Sequence, residues 1–376
     1  MIKVLYVLNN VFKKGGTEAV VLNYYKYVNS ENVKIDFAIH ATKEEYDSNE
    51  VVKKLTEQGT KVYRITPRYQ SIRKNREDLR AAICAGYDIV HTHTDAVGAS
   101  VLKIAKDAGI KARVAHSHNT DFPVKPDSLK NRIKLILLEK NRKDIVNQAN
   151  YFMACSKAAG KWLFGANNAN QIYLLNNAID ISKYEYSESA RKKLREELGL
   201  SDDNFVLGNV GRFNHQKNHL FLLKVFKEVY EKYPNARLLL VGDGELKAQM
   251  QSYIAENNLT DGVIFYGTTS HVGRVLSMMD VFVFPSTHEG LSVALVEAQA
   301  NGLHCIVTDS DKVTKDSDLT GQITWVKTDS VQPWVDAILT GNHDRNSHAG
   351  EGIAANNYDL KQEANKLTEF YKSIVK

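Results

Sequence analysis

The chain has 376 residues, of which 43% are hydrophobic and 25% charged, and a formal net charge of +5. That length exceeds one ordinary core and suits two domains, the composition is that of a soluble globular protein, and no apolar run reaches the ~18 residues of a membrane-spanning helix. Cys84, Cys155 and Cys305 are odd in number and far apart, which argues against disulfides and structural zinc and predicts three buried thiols in a reducing cytosol.

The opening MIKVLYVLNN has one early Lys, a short apolar stretch and no small-residue cleavage pattern, so it reads as a first strand and not a signal peptide. Gly15, Gly16, Thr17 and Glu18 follow it as a glycine turn before a helix, either a plain tight turn or a place where backbone approaches a ligand closely. The pattern is not GxGxxG, so the dinucleotide fingerprint is missing and a nicotinamide oxidoreductase is disfavoured. The β-rich runs VKIDFAIH, KVYRIT, YDIVHTH, ARVAHSH, YFMACS and IYLLNN then alternate with helical-period segments, the signature of α/β units around a parallel sheet. His91 and His93 end one of these runs, and His116 and His118 end the next. Four histidines invite a zinc reading, but no Cys or carboxylate completes an obvious ligand set, and polar contact with a ligand is the better expectation.

Charge is unevenly shared. Residues 1–176 hold 28 Lys and Arg against 17 Asp and Glu, net +11, and the remainder holds 21 against 27, net −6. A basic first half predicts an anionic surface met by that half alone. Two stretches carry much of the charge, residues 67–80 and 129–146; in the second, Leu129, Ile133, Ile136 and Leu137 form an apolar stripe beneath a basic face. Such a helix is an ordinary surface helix or one that lies on anionic lipid. No recognised nucleic-acid module accompanies the charge, so nucleic acid is not an expected partner.

Residues 180–204 are polar and only partly helical in pattern, and read as a linker. Beyond them FVLGNVG, ARLLLVGDG, VIFYG, VFVFPS and HCIVTD supply the strands of a second parallel sheet. After the first of these, GRFNHQKNH places Arg212 and Lys217 at a strand's carboxyl end, where two cations suit a diphosphate or, more plainly, surface salt bridges. The segment VFVFPSTHEGLSVALVEAQANG, residues 281–302, is the most informative. Its first four residues suit a strand buried on both faces, and a helix is predicted from near Ser292 to a stop at Gly302, with Gly290 giving backbone room just before it. Amides around Leu291, Ser292 and Val293 would face the sheet's carboxyl edge and favour an anion. Glu297 has Val293, Ala294, Ala300 and Asn301 as same-face neighbours, so its carboxylate rises from a mostly apolar face, to bind a ligand or to pair within a core gap. The Asp-rich fragments TDSDK and SDDN are discounted as metal-diphosphate sites, because Arg212 and Lys217 already supply the neutralising charge.

On these motifs the chain resembles the retaining glycosyltransferases of family four (GT4), and among them is similar to bacterial exopolysaccharide and capsular polysaccharide glycosyltransferases. Glu289 and Glu297, with seven residues between them after a VFVFPS strand, carry the resemblance together with GRFNHQKNH, YDIVHTH, RVAHSHNT, ACSKAAGKWLFG and LLNNAID in the family's order. One departure is visible: Asn176, Asn177 and Ala178 stand where many relatives have Asn-Gly. The resemblance implies an α/β GT-B fold, two Rossmann-like domains with parallel sheets facing across a cleft: an acceptor-binding domain over residues 1–178, onto which a C-terminal helix at 359–376 packs back, and a nucleotide-sugar domain over 179–358. It implies that Arg212 and Lys217 hold a donor diphosphate, Glu297 the ribose hydroxyls and Glu289 the transferred sugar. The amides at Leu291, Ser292 and Val293 complete the phosphate cradle, Gly16 abuts the donor, and His118 meets the sugar near its reacting carbon. The expected donor is a UDP-sugar used without metal or cofactor. The expected acceptor is a sugar or lipid-linked sugar, reached by a cytoplasmic protein resting on the anionic inner membrane. A UDP-sugar 2-epimerase of the same fold and a non-catalytic sugar-nucleotide-binding subunit remain as other readings.

Overall fold

The computed structural model describes residues 1–12, 16–28, 30–122, 127–289 and 292–375. The chain divides into two compact units, Met1–Ala178 with Leu360–Lys376, and Ile179–Asp359.

The first unit is built on seven strands, β1 (Ile2–Leu8), β2 (Val33–His40), β3 (Val62–Ile65), β4 (Ile89–Thr92), β5 (Ala112–Ser117), β6 (Tyr151–Ala154) and β7 (Ile172–Leu174). They form one sheet in the order β3-β2-β1-β4-β5-β6-β7, with every neighbouring pair parallel. Val4 to Leu8 of β1 are fully buried, as expected of a strand covered on both faces. Strand order reverses between β1 and β4, and ligands of open α/β sheets bind outside the carboxyl ends of strands at such a reversal. The Gly16–Val28 helix follows β1 there, and His91 and His93 stand at the end of β4. The C-terminal helix, Leu360–Val375, belongs to this unit and packs on Gly16–Val28 and on β1. The Tyr371 hydroxyl lies 2.7 Å from that of Tyr6, in the core.

The second unit has six strands, β8 (Phe205–Val210), β9 (Ala236–Val241), β10 (Val263–Gly267), β11 (Val281–Phe284), β12 (His304–Thr308) and β13 (Ile323–Val326). They are ordered β10-β9-β8-β11-β12-β13, again all parallel. Here the order reverses between β8 and β11, the two strands that lead into GRFNHQKNH and THEG. All four residues of β11 are buried. The helix after it, Val293–Ala300, closes with Gly302 at φ +79°, the left-handed conformation that costs glycine least.

Two expectations are corrected. Residues 180–204 are not a linker but an integral part of the second unit. The Glu188–Glu197 helix, capped by the Ser187 hydroxyl, turns Arg191 and Arg195 onto Asp280, with Nη2–Oδ distances of 2.6 and 2.7 Å. Arg195 is buried and also donates to the carbonyls of Met278, Ser201 and Asn204. Composition misleads because the polar residues are here the anchors, and their partner lies 85 to 89 positions away. Of the three thiols, Cys155 and Cys305 are buried but Cys84 is exposed, because it follows the end of the surface helix Ile72–Ile83.

Candidate functional site

In the second unit, the loop after β8 carries Lys217 back across the sheet end toward the loop after β11. Its Nζ lies 2.7 Å from Glu289 Oε1, and the two side chains are only 15% and 11% exposed. The ammonium also stands 4.7 Å from the centroid of Phe284, the last residue of β11. Further contacts hold the two loops together. Thr287 N–H donates to the Gln216 carbonyl, and Gln216 Nε2 donates to the His288 carbonyl at 2.9 Å and to Glu289 Oε1 at 3.3 Å. The backbone N–H of Glu289 is spent on the Lys312 carbonyl. A half-buried cation and carboxylate are thus fixed side by side at the strand-order reversal, one suited to an anion and the other to hydroxyls.

Arg212 leaves the same loop toward solvent: its side chain is 70% exposed and its guanidinium meets Glu245 at 3.3 Å. An exposed pair of that kind contributes little, so the side chain is free to change partner. Gly242 was passed over in the sequence. At φ +143°, a Cβ on it would sit 2.0 Å from the Gly211 carbonyl oxygen, so only glycine lets the loop after β9 lie against the loop after β8.

Glu297 lies one helix turn inside Val293–Ala300 and accepts a hydrogen bond from the Tyr184 hydroxyl at 2.7 Å. Burial pushes its carboxyl up to about 7, against the opposing effect of that hydrogen bond. Tyr184 is 113 positions away in sequence, in the stretch read as linker, and no local signal marks it. Ser292 is buried at the helix N-cap position with extended backbone and no side-chain cap, and Val293 is the first helical residue. Leu291 and Gly290 lie outside the described residues.

The raised carboxyl has a measurable consequence. Between the ordinary value of 4.5 and about 7 the folded chain keeps a proton that the unfolded chain has released, so stability falls as pH rises through that window and stays lower above it. Glu297→Gln is expected to match the parent at pH 4.5 and to exceed it at pH 8 by about 2 kcal/mol, after discounting for partial solvent access. Urea unfolding at both pH values reads this directly; an equal difference at the two would sink it.

In the first unit, Gly16 begins the helix after β1, and a Cβ there would meet no atom of the described residues within 4 Å; Gly15 lies outside the described residues. His118 follows β5, and its backbone N–H donates to Asp95 Oδ1 at 2.8 Å. Asp95 has φ +46°, an uncommon conformation for a residue other than glycine, and no sequence pattern announces it. The His118 ring stacks on His116 at 4.1 Å between centroids, and its Nε2 lies 3.0 Å from His93 Nδ1. Burial pulls its pKa down to about 3, so the ring is neutral at physiological pH. His91 completes the group, with Nε2 3.2 Å from His116 Nδ1 and Nδ1 2.7 Å from the Tyr371 hydroxyl. The candidate residues therefore form two groups, each within its own unit: Gly16 and His118 in the first, and Arg212, Lys217, Glu289, Ser292, Val293 and Glu297 in the second.

Comparison with known proteins gives this arrangement a family. Residues 14–183 match the model of Glycosyltransferase Family 4, and residues 190–351 match that of Glycosyl transferases group 1. EpsF of Bacillus subtilis (strain 168), which carries a glycosyltransferase name, is 30% identical over 98% of this chain and 96% of its own. The UDP-Gal:alpha-D-GlcNAc-diphosphoundecaprenol alpha-1,3-galactosyltransferase of Escherichia coli is 30% identical over 59% of this chain and 58% of its own. Among solved structures, Anabaena HepE in complex with UDP superposes with a TM-score of 0.76 at 21% identity, covering 99% of this chain and all of that one. Two parallel sheets in this order, neighbours of this kind and a relative matched end to end make the chain a glycosyltransferase of family 4 with the GT-B fold.

Proposed function

We propose that the chain is a retaining transferase that moves a sugar from a UDP-sugar to a lipid-linked or oligosaccharide acceptor in bacterial exopolysaccharide or capsule assembly. The observation that carries this reading is the Lys217–Glu289 pair, held at 2.7 Å where the strand order of the second unit reverses. The names of relatives point the same way: HepE has been crystallised with UDP and with UDP-glucose, and the E. coli relative is named for UDP-Gal and a diphosphoundecaprenol-linked sugar.

In this reading the second unit binds the donor and the first the acceptor. Lys217, Arg212 turned away from Glu245, and the amides at Leu291, Ser292 and Val293 take the diphosphate. Glu297 takes the ribose hydroxyls and Glu289 those of the transferred sugar, while Gly16 abuts the donor and neutral His118 meets the sugar near its reacting carbon. The acceptor hydroxyl oxygen bonds to the anomeric carbon as the bond from that carbon to the diphosphate oxygen breaks. Its proton passes to the departing phosphate on the same face, which retains configuration. Fixed cations and amides aimed at the leaving group stabilise charge that grows in the transition state, so the transfer asks for no metal at the diphosphate and no cofactor.

Calorimetry with UDP, GDP, ADP and NAD, without added metal, tests the donor. UDP alone is expected to bind, and Lys217→Ala to weaken it about 10- to 100-fold, the worth of a charge-assisted hydrogen bond. Equal binding of all the nucleotides, or indifference to Lys217→Ala, would overturn the assignment.

A second observation supports an acceptor at a membrane. On the Leu129–Gln148 helix, Leu129, Ile133, Ile136 and Leu137 are 52 to 75% exposed, and Lys130, Arg132, Lys134, Lys140 and Lys143 are exposed along it. Among the described residues no helix is long and apolar enough to cross a membrane, so this stripe would lie in the interface. Flotation with anionic vesicles at physiological salt should carry the protein, and Ile136→Asp with Leu137→Asp should release it; a parent protein that ignores such vesicles rules the contact out.

A further inference from the structure

We propose that His91, His93 and His116 form a binding site for a divalent transition-metal ion, zinc by preference, in the first unit. Nitrogens of the three rings lie within 4.8 Å of one another, and all three side chains are buried. Two come from one strand end, in a His-x-His step along β4 and its exit, and the third from the neighbouring strand β5, so the backbone of a parallel sheet fixes the spacing.

Two observations point to an ion rather than to histidines packed as ordinary core. Among the described residues, His93 Nε2 and His116 Nε2 are buried with no hydrogen-bond partner. Such atoms are rare in folded proteins and each calls for something to satisfy it. The hydrogen bonds between rings leave these atoms unexplained, because they use other nitrogens: His91 Nε2 with His116 Nδ1, and His93 Nδ1 with His118 Nε2. The far nitrogen of His91 is already held. Its Nδ1 is 2.7 Å from the Tyr371 hydroxyl, which in turn meets the Tyr6 hydroxyl at 2.7 Å. Metal-ligating histidines almost always have their second nitrogen held in this way, which fixes the ring and its tautomer. His93 has the same support from His118.

The neutral ring is the form that ligates. An all-imidazole set suits zinc, copper, iron and nickel, and excludes calcium and magnesium. Three protein nitrogens leave a fourth tetrahedral position for water or a hydroxyl. Loading the site exchanges the His91–His116 hydrogen bond for metal bonds and draws the rings in until their ligating nitrogens are about 3.4 Å apart, the spacing set by bonds of 2.0–2.1 Å at tetrahedral angles. The sequence argued against zinc because no Cys or carboxylate joined the histidines; three histidines suffice once the sheet brings them together. The three ligands all belong to the first unit, and the proposal does not depend on which donor the second unit binds.

The test uses the full chain stripped of metal and titrated with cobalt(II). One equivalent should bind and give the intense visible bands of a tetrahedral ion, and zinc should displace it. His93→Gln and His116→Gln should abolish the bands, and Tyr371→Phe, which removes the support of His91 together with the Tyr6–Tyr371 hydrogen bond but none of the three ligands, should keep them while weakening binding about tenfold or more. X-ray absorption of the zinc-loaded parent protein keeps the test independent of how well the variants fold: a nitrogen shell at about 2.0–2.1 Å is expected, and sulfur at about 2.3 Å would place the ion on a cysteine. Absence of stoichiometric binding, a sulfur shell, or bands that survive both histidine substitutions would overturn the proposal.

Discussion

Glu289→Ala is expected to reduce sugar transfer by about 10²- to 10³-fold while UDP binds within about threefold of the parent, or more tightly. The expectation follows from charge. Glu289 Oε1 is 2.7 Å from Lys217 Nζ, and both side chains are largely withdrawn from solvent. Removing the carboxylate frees an ammonium already placed at the sheet reversal, and an anionic nucleotide gains a cation no longer neutralised. What is lost is the acceptor for sugar hydroxyls, an interaction that the proposed function assigns to the moving group and not to the nucleotide. Interactions that tighten only as the transition state forms appear in kcat, whereas those with the nucleotide appear equally in ground and transition states. Calorimetry with UDP beside single-turnover transfer separates the two. A loss of UDP affinity matching the loss of rate would show that Glu289 merely positions Lys217. Glu289→Gln, which keeps one acceptor oxygen but not the charge, should recover part of the rate.

Much of this site was legible because short sequence spacings survive folding. The VFVF strand, the helix stop at Gly302 and the apolar face under Glu297 are local properties, set by burial on both faces, backbone conformation and the 3.6-residue period. The pairing of Lys217 with Glu289 spans 72 positions and is not read from the sequence, although both residues follow strands that meet in the sheet. Tyr184 and Asp95 were not legible either: one reaches Glu297 from 113 positions away, and the other holds the His118 N–H from a backbone conformation that no propensity suggests. Arg212 shows a different limit. Its placement in the loop was read correctly, yet an exposed guanidinium takes the nearest surface partner, Glu245, and sequence says nothing of which partner wins. The histidines show a third, because the distance between rings on neighbouring strands is set by sheet register, here His91 opposite Val114. The 180–204 stretch failed for a physical reason: a helix rich in Arg, Lys and Glu reads as solvated unless its distant carboxylate is known.

That carboxylate supplies the second large effect. Asp280→Ala is expected to destabilise the second unit by about 3–5 kcal/mol, the typical cost of removing one partner from a buried ion pair. Arg195 has a side chain only 3% exposed, and Asp280 is its sole carboxylate partner among the described residues. The carbonyls of Met278, Ser201 and Asn204 accept from it but carry no full charge. Asp280 also receives the Val206 N–H at 2.7 Å, at the start of β8, so its loss strands a cation and a backbone donor together. Arg191→Ala should cost far less, near 1 kcal/mol, because that side chain is more exposed and removing it leaves Arg195 paired. Asp280→Asn, which keeps the backbone contact, should fall between the two. Denaturant unfolding of the three variants orders them, and limited proteolysis locates the damage: cleavage should begin at Lys192 or Lys193 if the Glu188–Glu197 helix is released first. A cost for Asp280→Ala below that of Arg191→Ala would mean the helix is held by its apolar contacts alone. Release of the helix also bears on the site, because Tyr184 lies just ahead of it and is the hydroxyl that meets Glu297. A destabilised Asp280 variant should therefore lose UDP affinity before it unfolds, although Asp280 itself lies at the amino end of β11 and the site at its carboxyl end.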